Sequence, residues 1–208
     1  MKMILIFLAC SILCAGESHP VTKVNTWFNE EKELTEGRFF KFASLATVSS
    51  DGYPHVRMIE ITHLHPREGA LFFTHQNTEK VTHIAFKPYG ALNIWLPRTH
   101  RQVSMEGTIQ KVGREETEKS WSRMPRFMQL TFIASNHTGN LESSKCLEDR
   151  KALLEKEYPD KIPCPSTFIG YRLTPDRVIF YEINHRSFPK KEIALINQKD
   201  WTLSLVEP

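Results

Sequence analysis

The segment RMIEITHLH, residues 57–65, combines strand-forming residues with side chains that could do chemistry. His63 and His65 lie two residues apart and would share one face of a strand, which suits two ligands of a metal ion. A residue such as His75 or Glu60 would be needed as a third ligand. Because no complete ligand set occurs at a characteristic spacing, exposed histidines at the end of a strand are the favoured interpretation.

Arg57 and Glu60 bring charge into the same run. The two-residue period of a strand predicts two faces, with Arg57, Ile59, Ile61 and His63 on one and Met58, Glu60, Thr62 and Leu64 on the other. Glu60 would need a partner if it were buried, and Arg or His side chains on adjoining strands are the candidates.

The composition excludes several classes of function. The chain has 208 residues, 40% hydrophobic and 25% charged, which suits one globular domain with a single core. A net charge of +3 is too small and too dispersed to indicate nucleic acid as a partner. No G-x-S-x-G, Walker, G-x-G-x-x-G or H-E-x-x-H motif is present, so hydrolase, NTPase and dinucleotide-binding functions are not indicated.

Residues 1–16 resemble a secretory signal peptide, with Lys2, a short apolar run and small residues at its end. The run is too short for a stable membrane span. We therefore expect a leader followed by one domain over 17–208, secreted or periplasmic if the leader functions and cytoplasmic otherwise; a mis-assigned start codon or a buried segment is the alternative. After cleavage Cys146 and Cys164 would remain, either as a disulfide or as two thiols.

Hydrophobic periodicity and turn residues predict alternating helices and strands along the domain. Helices are predicted over 22–34, 78–88, 114–125, 126–135 and 143–160. Strands are predicted over 42–62 with a hairpin turn at Asp51-Gly52, and over 70–76, 89–99, 101–113, 167–183 and 191–208. Thr78 and Pro88 would begin and end the second helix. Consecutive antiparallel strands with helices inserted late predict a mainly β, α+β fold: a small barrel flanked by helices.

Several motifs occur together in an order that resembles a known family. ATVSSDGYPHVR is followed some forty residues later by RQVSMEG, with LFFTHQNTEK between them and SRMPR and IGYRLTPDRVIFYE after them. Over roughly residues 25–208 the chain resembles the pyridoxamine 5'-phosphate oxidase family. The resemblance implies a split β-barrel homodimer with FMN at the subunit interface. It also implies transfer of a hydride from an amine or alcohol carbon to FMN, with reoxidation by O2 to give hydrogen peroxide.

The resemblance also assigns cofactor-binding residues. Arg57, Thr74 and Lys80 match the family's phosphate-binding positions, and such cations and hydroxyls on rigid elements can hold a phosphate. Gln102 matches the residue that faces the flavin ring. The remaining cofactor positions fall on Thr62, Phe73, His137, Thr138, Tyr181 and Lys190. Of these, Tyr181 stands where the family usually has tryptophan, and Lys190 stands for an arginine.

The substrate side departs from the family pattern. Thr62 stands where the family has the lysine that binds the substrate phosphate, and Ser120, Met124 and Met128 replace the Tyr, Arg and Ser of the same clamp. Removing one charge-assisted hydrogen bond lowers the affinity for a phosphorylated substrate by about 1.5 to 3 kcal/mol. In the family's R-x-H motif Arg186 is retained as the expected catalytic residue over the reacting carbon. Thr62, Ser120 and Arg186 are the expected substrate-binding residues.

Three hypotheses for the function follow from this pattern. The first is an FMN-dependent oxidase acting on a small molecule that need not carry a phosphate. The second is a secreted split-barrel binding protein without catalysis. The third is a pyridoxamine 5'-phosphate oxidase whose phosphate clamp has been rebuilt.

Overall fold

The structure is a computed structural model that describes residues 19–135, 139–198 and 200–208. The predicted leader, residues 1–16, and two predicted cofactor residues, His137 and Thr138, lie outside the described residues. The helices are α1 (Pro20–Leu34), α2 (Glu79–Phe86), α3 (Arg114–Arg123), α4 (Arg126–Ala134) and α5 (Lys145–Glu157). The strands are β1 (Phe42–Val48), β2 (Pro54–Glu60), β3 (His63–His65), β4 (Gly69–His75), β5 (Tyr89–Leu96), β6 (Arg101–Lys111), β7 (Phe168–Glu182), β8 (Lys190–Asn197) and β9 (Asp200–Val206).

The described strands form one antiparallel sheet in the order β2-β1-β5-β6-β7-β4-β3, to which β8 and β9 are added beside β7. Strand β7 pairs along one side with β6, and along the other side first with β4 and then with β8. Strands β2 and β4 also contact each other, so the sheet curls into a half-closed barrel. The predicted mainly β fold with flanking helices is confirmed.

The predicted hairpin turn at Asp51-Gly52 is confirmed between β1 and β2. Gly52 has φ +89°, in the left-handed region that a residue without a Cβ adopts readily. The backbone N–H of Ser49 donates to the carbonyl of Tyr53 at 3.0 Å and closes the turn. The register that results places Arg57 of β2 opposite Leu45 of β1, beside the barrel interior.

The predicted alternation of faces is wrong beyond Ile61. Leu64 is buried and His63 is exposed, the reverse of the expected order. The physical reason is a change of pairing partner, because the backbone N–H of Thr62 donates to the carbonyl of Leu71 at 2.9 Å and the chain leaves β1 for β4.

Helix α1 buries the predicted apolar face of Val24, Trp27 and Phe28 against the sheet. The ring of Trp27 meets that of Phe180 edge to face, with 5.2 Å between the ring centroids. Aromatic pairs in this geometry add stabilisation beyond their buried area. The helix therefore covers the part of the barrel that β7 forms.

Glu31 is the buried polar residue of the same helix face. Its carboxylate accepts hydrogen bonds from the backbone N–H groups of Arg98 at 2.8 Å and Thr99 at 3.0 Å, and from the hydroxyl of Thr99 at 3.0 Å. A buried carboxylate is stable only with such donors. Glu31 thus fixes α1 to the turn between β5 and β6.

A smaller core lies between helices α3 and α4 and the start of β7. It contains Trp121, Leu130, Ile162 and Phe168, and the indole N–H of Trp121 donates to the carbonyl of Ile162 at 2.9 Å. This core holds α3 and α4 beside β4. No helix in the described ranges is both long enough and apolar enough to cross a membrane.

Helix α5 contributes no buried residue, although its sequence is amphipathic. It is attached to α4 through the guanidinium of Arg150, which donates to the carbonyl of Ala134 at 3.0 Å. Cys146 in α5 and Cys164 are free thiols in the structure.

Candidate functional site

Three of the predicted phosphate ligands lie together where β4 ends and α2 begins. The ammonium group of Lys80 donates to the hydroxyl of Thr74 at 3.0 Å. Arg57 reaches the same place from β2, and its charge lowers the pKa of Lys80. We refer to Arg57, Thr74 and Lys80 as the cation cluster.

Thr78 occupies the N-cap position of α2 beside the cation cluster, but the prediction that its side chain caps the helix is wrong. Its hydroxyl donates to the carbonyl of His75 at 2.9 Å and lies 3.3 Å from the hydroxyl of Thr74. Two hydroxyl groups therefore line the cluster in addition to the two cations.

The cation cluster is electrostatically strained. Burial is the main cause that lowers the pKa of Arg57 and of Lys80, and for Lys80 the positive charge of Arg57 lowers the pKa further. Glu79 offsets part of this effect, but among the described residues it forms no ion pair with either cation. An anion with several oxygens would relieve the repulsion and accept hydrogen bonds from both groups.

The sequence did not indicate Thr47 and His83, which hold Arg57 in place through hydrogen bonds. The guanidinium of Arg57 donates to the hydroxyl of Thr47 at 2.6 Å and to the carbonyl of Leu45 at 3.1 Å. The Thr47 hydroxyl also lies 3.1 Å from Nδ1 of His83, whose ring centroid is 4.6 Å from that of His55. Alternation of apolar and polar residues along β1 indicates that the Thr47 side chain faces the barrel interior. No local pattern indicates that its partner is His83, 36 residues away.

Gln102 lies on the outer face of the sheet, paired with Trp95 of β5 and Tyr181 of β7. Its amide donates to the hydroxyl of Ser104 at 3.5 Å, a long hydrogen bond that leaves the amide free to reorient. The structure thus brings together two predicted ring-side residues, Gln102 and Tyr181, beside a partly exposed indole.

Arg186 lies in the loop between β7 and β8, and its backbone N–H donates to the side-chain carbonyl of Asn184 at 2.9 Å. Its side chain lines a cavity of about 530 Å³ together with Phe188 and Lys190. Lys190 is ion-paired with Glu192 at 3.1 Å. Phe188, which stands for the family's histidine, is 89% exposed.

Thr62 and Ser120, the expected substrate-binding residues, line an outer cavity of about 870 Å³ bounded by helices α3 and α4. An inner cavity of about 350 Å³ extends from it toward β4 and reaches Thr74 of the cation cluster. The two cavities share four residues: Glu60, Thr62, Met124 and Met128. Three of the substituted clamp positions, Thr62, Met124 and Met128, therefore lie where the two cavities meet.

Phe73, a predicted cofactor residue, also lines the inner cavity. Its ring stacks on that of Phe168 with 5.0 Å between centroids. A Cβ added at Gly170 would lie 2.6 Å from the Phe73 ring, so the glycine makes room for this packing. The Phe73 side chain therefore forms part of the apolar wall.

His63 and His65 have ring centroids 6.1 Å apart. Nδ1 of His65 accepts hydrogen bonds from the backbone N–H groups of Arg67 and Glu68, and so stabilises the turn into β4. Within the described ranges no group of three His, Cys, Asp or Glu side chains is placed to hold a metal ion.

These features fit a phosphorylated aromatic cofactor: a cation cluster for the phosphate, and amide and aromatic side chains on the sheet for a ring. A half-closed β-barrel with such a site defines a flavin-binding split barrel. The family model described as pyridoxamine 5'-phosphate oxidase matches residues 31–152, more than half of the chain. The chain therefore belongs to the pyridoxamine 5'-phosphate oxidase family, and its cofactor is FMN.

Named relatives agree with the family assignment. The chain is 32% identical over 191 residues to a pyridoxine/pyridoxamine 5'-phosphate oxidase from Leptospira biflexa serovar Patoc, covering 91% of this chain and 89% of the relative. It is 30% identical over 193 residues to the enzyme of that name from Pseudomonas fluorescens, covering 92% and 89%.

Two solved structures share the fold. PhzG from Burkholderia lata 383, in complex with tetrahydrophenazine-1-carboxylic acid, aligns with TM-score 0.85 at 23% identity over 93% of this chain and 95% of its own. An FMN-binding protein related to pyridoxamine 5'-phosphate oxidase, from Nostoc punctiforme PCC 73102, aligns with TM-score 0.74 at 18% identity over 90% and 96%.

Proposed function

We propose that the protein is an FMN-dependent oxidase that acts on an amine or alcohol carbon of a small molecule. The single observation that supports the proposal is the cation cluster, in which the charge of half-buried Arg57 acts on half-buried Lys80 and neither has an ion-paired carboxylate among the described residues. Bound FMN would supply a hydride acceptor that passes both electrons to O2, giving hydrogen peroxide, while the substrate heteroatom loses a proton.

The chain's own residues would hold and orient the reactants. Arg57, Thr74 and Lys80 would bind the cofactor phosphate, and Gln102 would hydrogen-bond the ring edge, because an amide can both donate and accept. Arg186 would stand over the reacting carbon. The apolar wall that includes Phe73 would exclude water from the inner cavity.

A homodimer is part of the proposal. Outer residues of the sheet form an apolar strip of Phe42, Val56, Met58 and Trp95, each between 47% and 66% exposed. Exposed apolar groups of this kind mark interaction surfaces. A second copy of the chain would cover the strip and complete the cofactor site at the interface.

The first experiment measures FMN in the purified protein. Flavin absorption bands and a rise in thermal stability on adding FMN are expected. Lys80→Met should weaken FMN binding by about 1.5 to 3 kcal/mol, which is tenfold to a hundredfold, because the phosphate would no longer accept a charge-assisted hydrogen bond from the ammonium group. Isothermal titration of the FMN-free protein gives this difference directly.

Lys87→Met is the matched control, since Lys87 is an exposed lysine at the other end of the same helix. Its FMN affinity should equal that of the unchanged protein. Absence of flavin bands together with no gain in stability from FMN would contradict both oxidase hypotheses and leave the split-barrel binding protein. If FMN is bound, peroxide production is measured next, with pyridoxamine and with pyridoxamine 5'-phosphate as substrates.

A rebuilt phosphate clamp is the second candidate, and one observation favours it. Lys119 and Arg123 line the outer cavity, each one residue before a substituted clamp position. Both side chains are exposed. Peroxide production from pyridoxamine 5'-phosphate that disappears in Arg123→Met would support a clamp of this kind.

A further inference from the structure

Glu60 is the charged residue at the junction of the outer and inner cavities. It is the last residue of β2, it is half-buried, and it lies opposite Phe42 of β1. Among the described residues its carboxylate has no hydrogen-bond or ion-pair partner, although Arg or His neighbours are the partners that the sequence predicts. A half-buried carboxylate in this position is available to a ligand.

The basic residues around the cavities leave Glu60 uncompensated. Arg172 lines the outer cavity, but it is already ion-paired with both Glu68 and Glu116. Lys119 and Arg123 are exposed at the rim on α3, on the other side of the cavity from the strands. The junction of the two cavities therefore carries the negative charge of Glu60, which disfavours a phosphate there.

The other residues at the junction are apolar or weakly polar. Met124 and Met128 face both cavities, and the inner cavity is walled by the aromatic rings of Phe73, Phe127, Phe132 and Phe168. Thioether and aromatic groups bind apolar and aromatic bodies through dispersion and S–aromatic contacts. One carboxylate amid such walls selects a cation carried on an apolar ring.

We propose that Glu60 is a specificity-determining residue and that the substrate is an unphosphorylated arylalkylamine, in which an aromatic ring carries the ammonium group on a side chain and Glu60 binds that group. This inference rests on the proposed function, because it names the substrate class of the same site. The substituted phosphate clamp and the carboxylate of Glu60 would then both favour a cationic over an anionic ligand group.

The test is ligand binding to the FMN-loaded protein, with FMN content measured separately by its absorption. Benzylamine, benzoate and benzyl phosphate serve as probes, since they share one ring and differ in charge. Calorimetry should show binding of benzylamine in preference to the two anions. Glu60→Gln keeps the shape but removes the charge, and it should weaken benzylamine binding about tenfold or more.

Glu115→Gln is the control, because Glu115 is an exposed carboxylate on the rim of the same outer cavity. It should bind benzylamine as the unchanged protein does. Tighter binding of either anion, binding of none of the probes, or equal benzylamine affinity in Glu60→Gln would overturn the proposal. If Glu60→Gln changes only the monomer–dimer equilibrium and leaves benzylamine binding unchanged, Glu60 belongs to the subunit interface. That result would also overturn the proposal.

Absence of FMN from the protein is a different result. It would count against the proposed oxidase and not against the charge selectivity, since the same probes can be titrated against the FMN-free protein. The two proposals therefore fail separately.

Discussion

Thr47 connects Arg57 to His83 through hydrogen bonds on both sides of its hydroxyl. The guanidinium has only donors, so the Thr47 oxygen must accept from it. The hydroxyl proton is then free to be donated to Nδ1 of His83, which requires that ring nitrogen to be unprotonated. Protonation of His83 at Nδ1 would turn that nitrogen into a donor, so that Thr47 could no longer donate to it, and would set another positive charge beside Arg57.

The stability of the FMN-free protein should consequently depend on pH through His83. Burial, and then the charges of His55 and Arg57, lower the pKa of His83 from its ordinary value of 6.5. A histidine whose pKa is lower in the folded state takes up its proton more readily in the unfolded chain. Its contribution is therefore complete above about pH 6.5 and is lost as the pH falls below that value.

Urea unfolding at several pH values checks this expectation. His83→Gln can keep a hydrogen bond with Thr47 but cannot titrate, so its stability should fall less between about pH 7 and pH 5. His63→Gln, at an exposed histidine, should follow the unchanged protein. Parallel curves for all three proteins would contradict the role given to His83.

The sequence could assign residues that belong to local motifs, but not residues whose role depends on contacts between distant segments. Arg57, Thr74 and Lys80 could be assigned because each stands in a local motif, and the structure brings them together. Thr47 and His83 could not, because their role depends on one hydrogen bond between distant segments. The position of Glu60 at the junction of two cavities likewise depends on helices far along the chain.

At the scale of elements, helix α1 is attached to the barrel by apolar packing and by the carboxylate of Glu31. Replacing Glu31 by Gln removes the charge and turns one acceptor oxygen into a donor, which would face the N–H groups of Arg98 and Thr99. We expect the free energy of unfolding to fall by about 1 to 3 kcal/mol, because buried donors lose their partner.

Chemical denaturation of Glu31→Gln measures this decrease. Glu33→Gln is the control, since Glu33 is an exposed residue of the same helix. The midpoint should shift for the first variant and stay in place for the second, with similar m-values for both. An unchanged midpoint in Glu31→Gln would contradict the role given to the carboxylate.

Element types were largely predictable, while partner changes were not. The hairpin at Asp51-Gly52 and the apolar face of α1 follow from local turn chemistry and helical period, and both are confirmed. The switch of the chain from β1 to β4 after Glu60 left no local signal. No glycine or proline marks this break. It depends on the carbonyl of Leu71, which accepts a hydrogen bond from the backbone N–H of Thr62.

At the scale of the whole molecule, the proposed homodimer makes a prediction about the apolar strip. Val56→Glu would place a carboxylate in an interface that buries apolar groups, and symmetry would introduce it twice. We expect dimer affinity to fall about tenfold or more, and FMN affinity to fall with it. Analytical ultracentrifugation with and without FMN provides the measurement.

Leu153→Glu is the matched control, because Leu153 is 66% exposed on α5, as Val56 is on β2. It should leave the mass in solution and the FMN affinity unchanged. If Val56→Glu kept both values of the unchanged protein, the strip would not be the contact between subunits.

The length of strand β7 bears on whether one subunit can form a complete active site. Its residue Ile169 pairs with Thr74 of the cation cluster, whereas Glu182, at its other end, pairs with Lys190 beside the Arg186 loop. At about 3.3 Å per residue these two pairs stand roughly 40 Å apart along the strand. One chain therefore presents the phosphate anchor and the arginine at the two ends of a strand that bends around the barrel. In the proposed dimer, each active site would take its phosphate-binding residues from one subunit and Arg186 from the other.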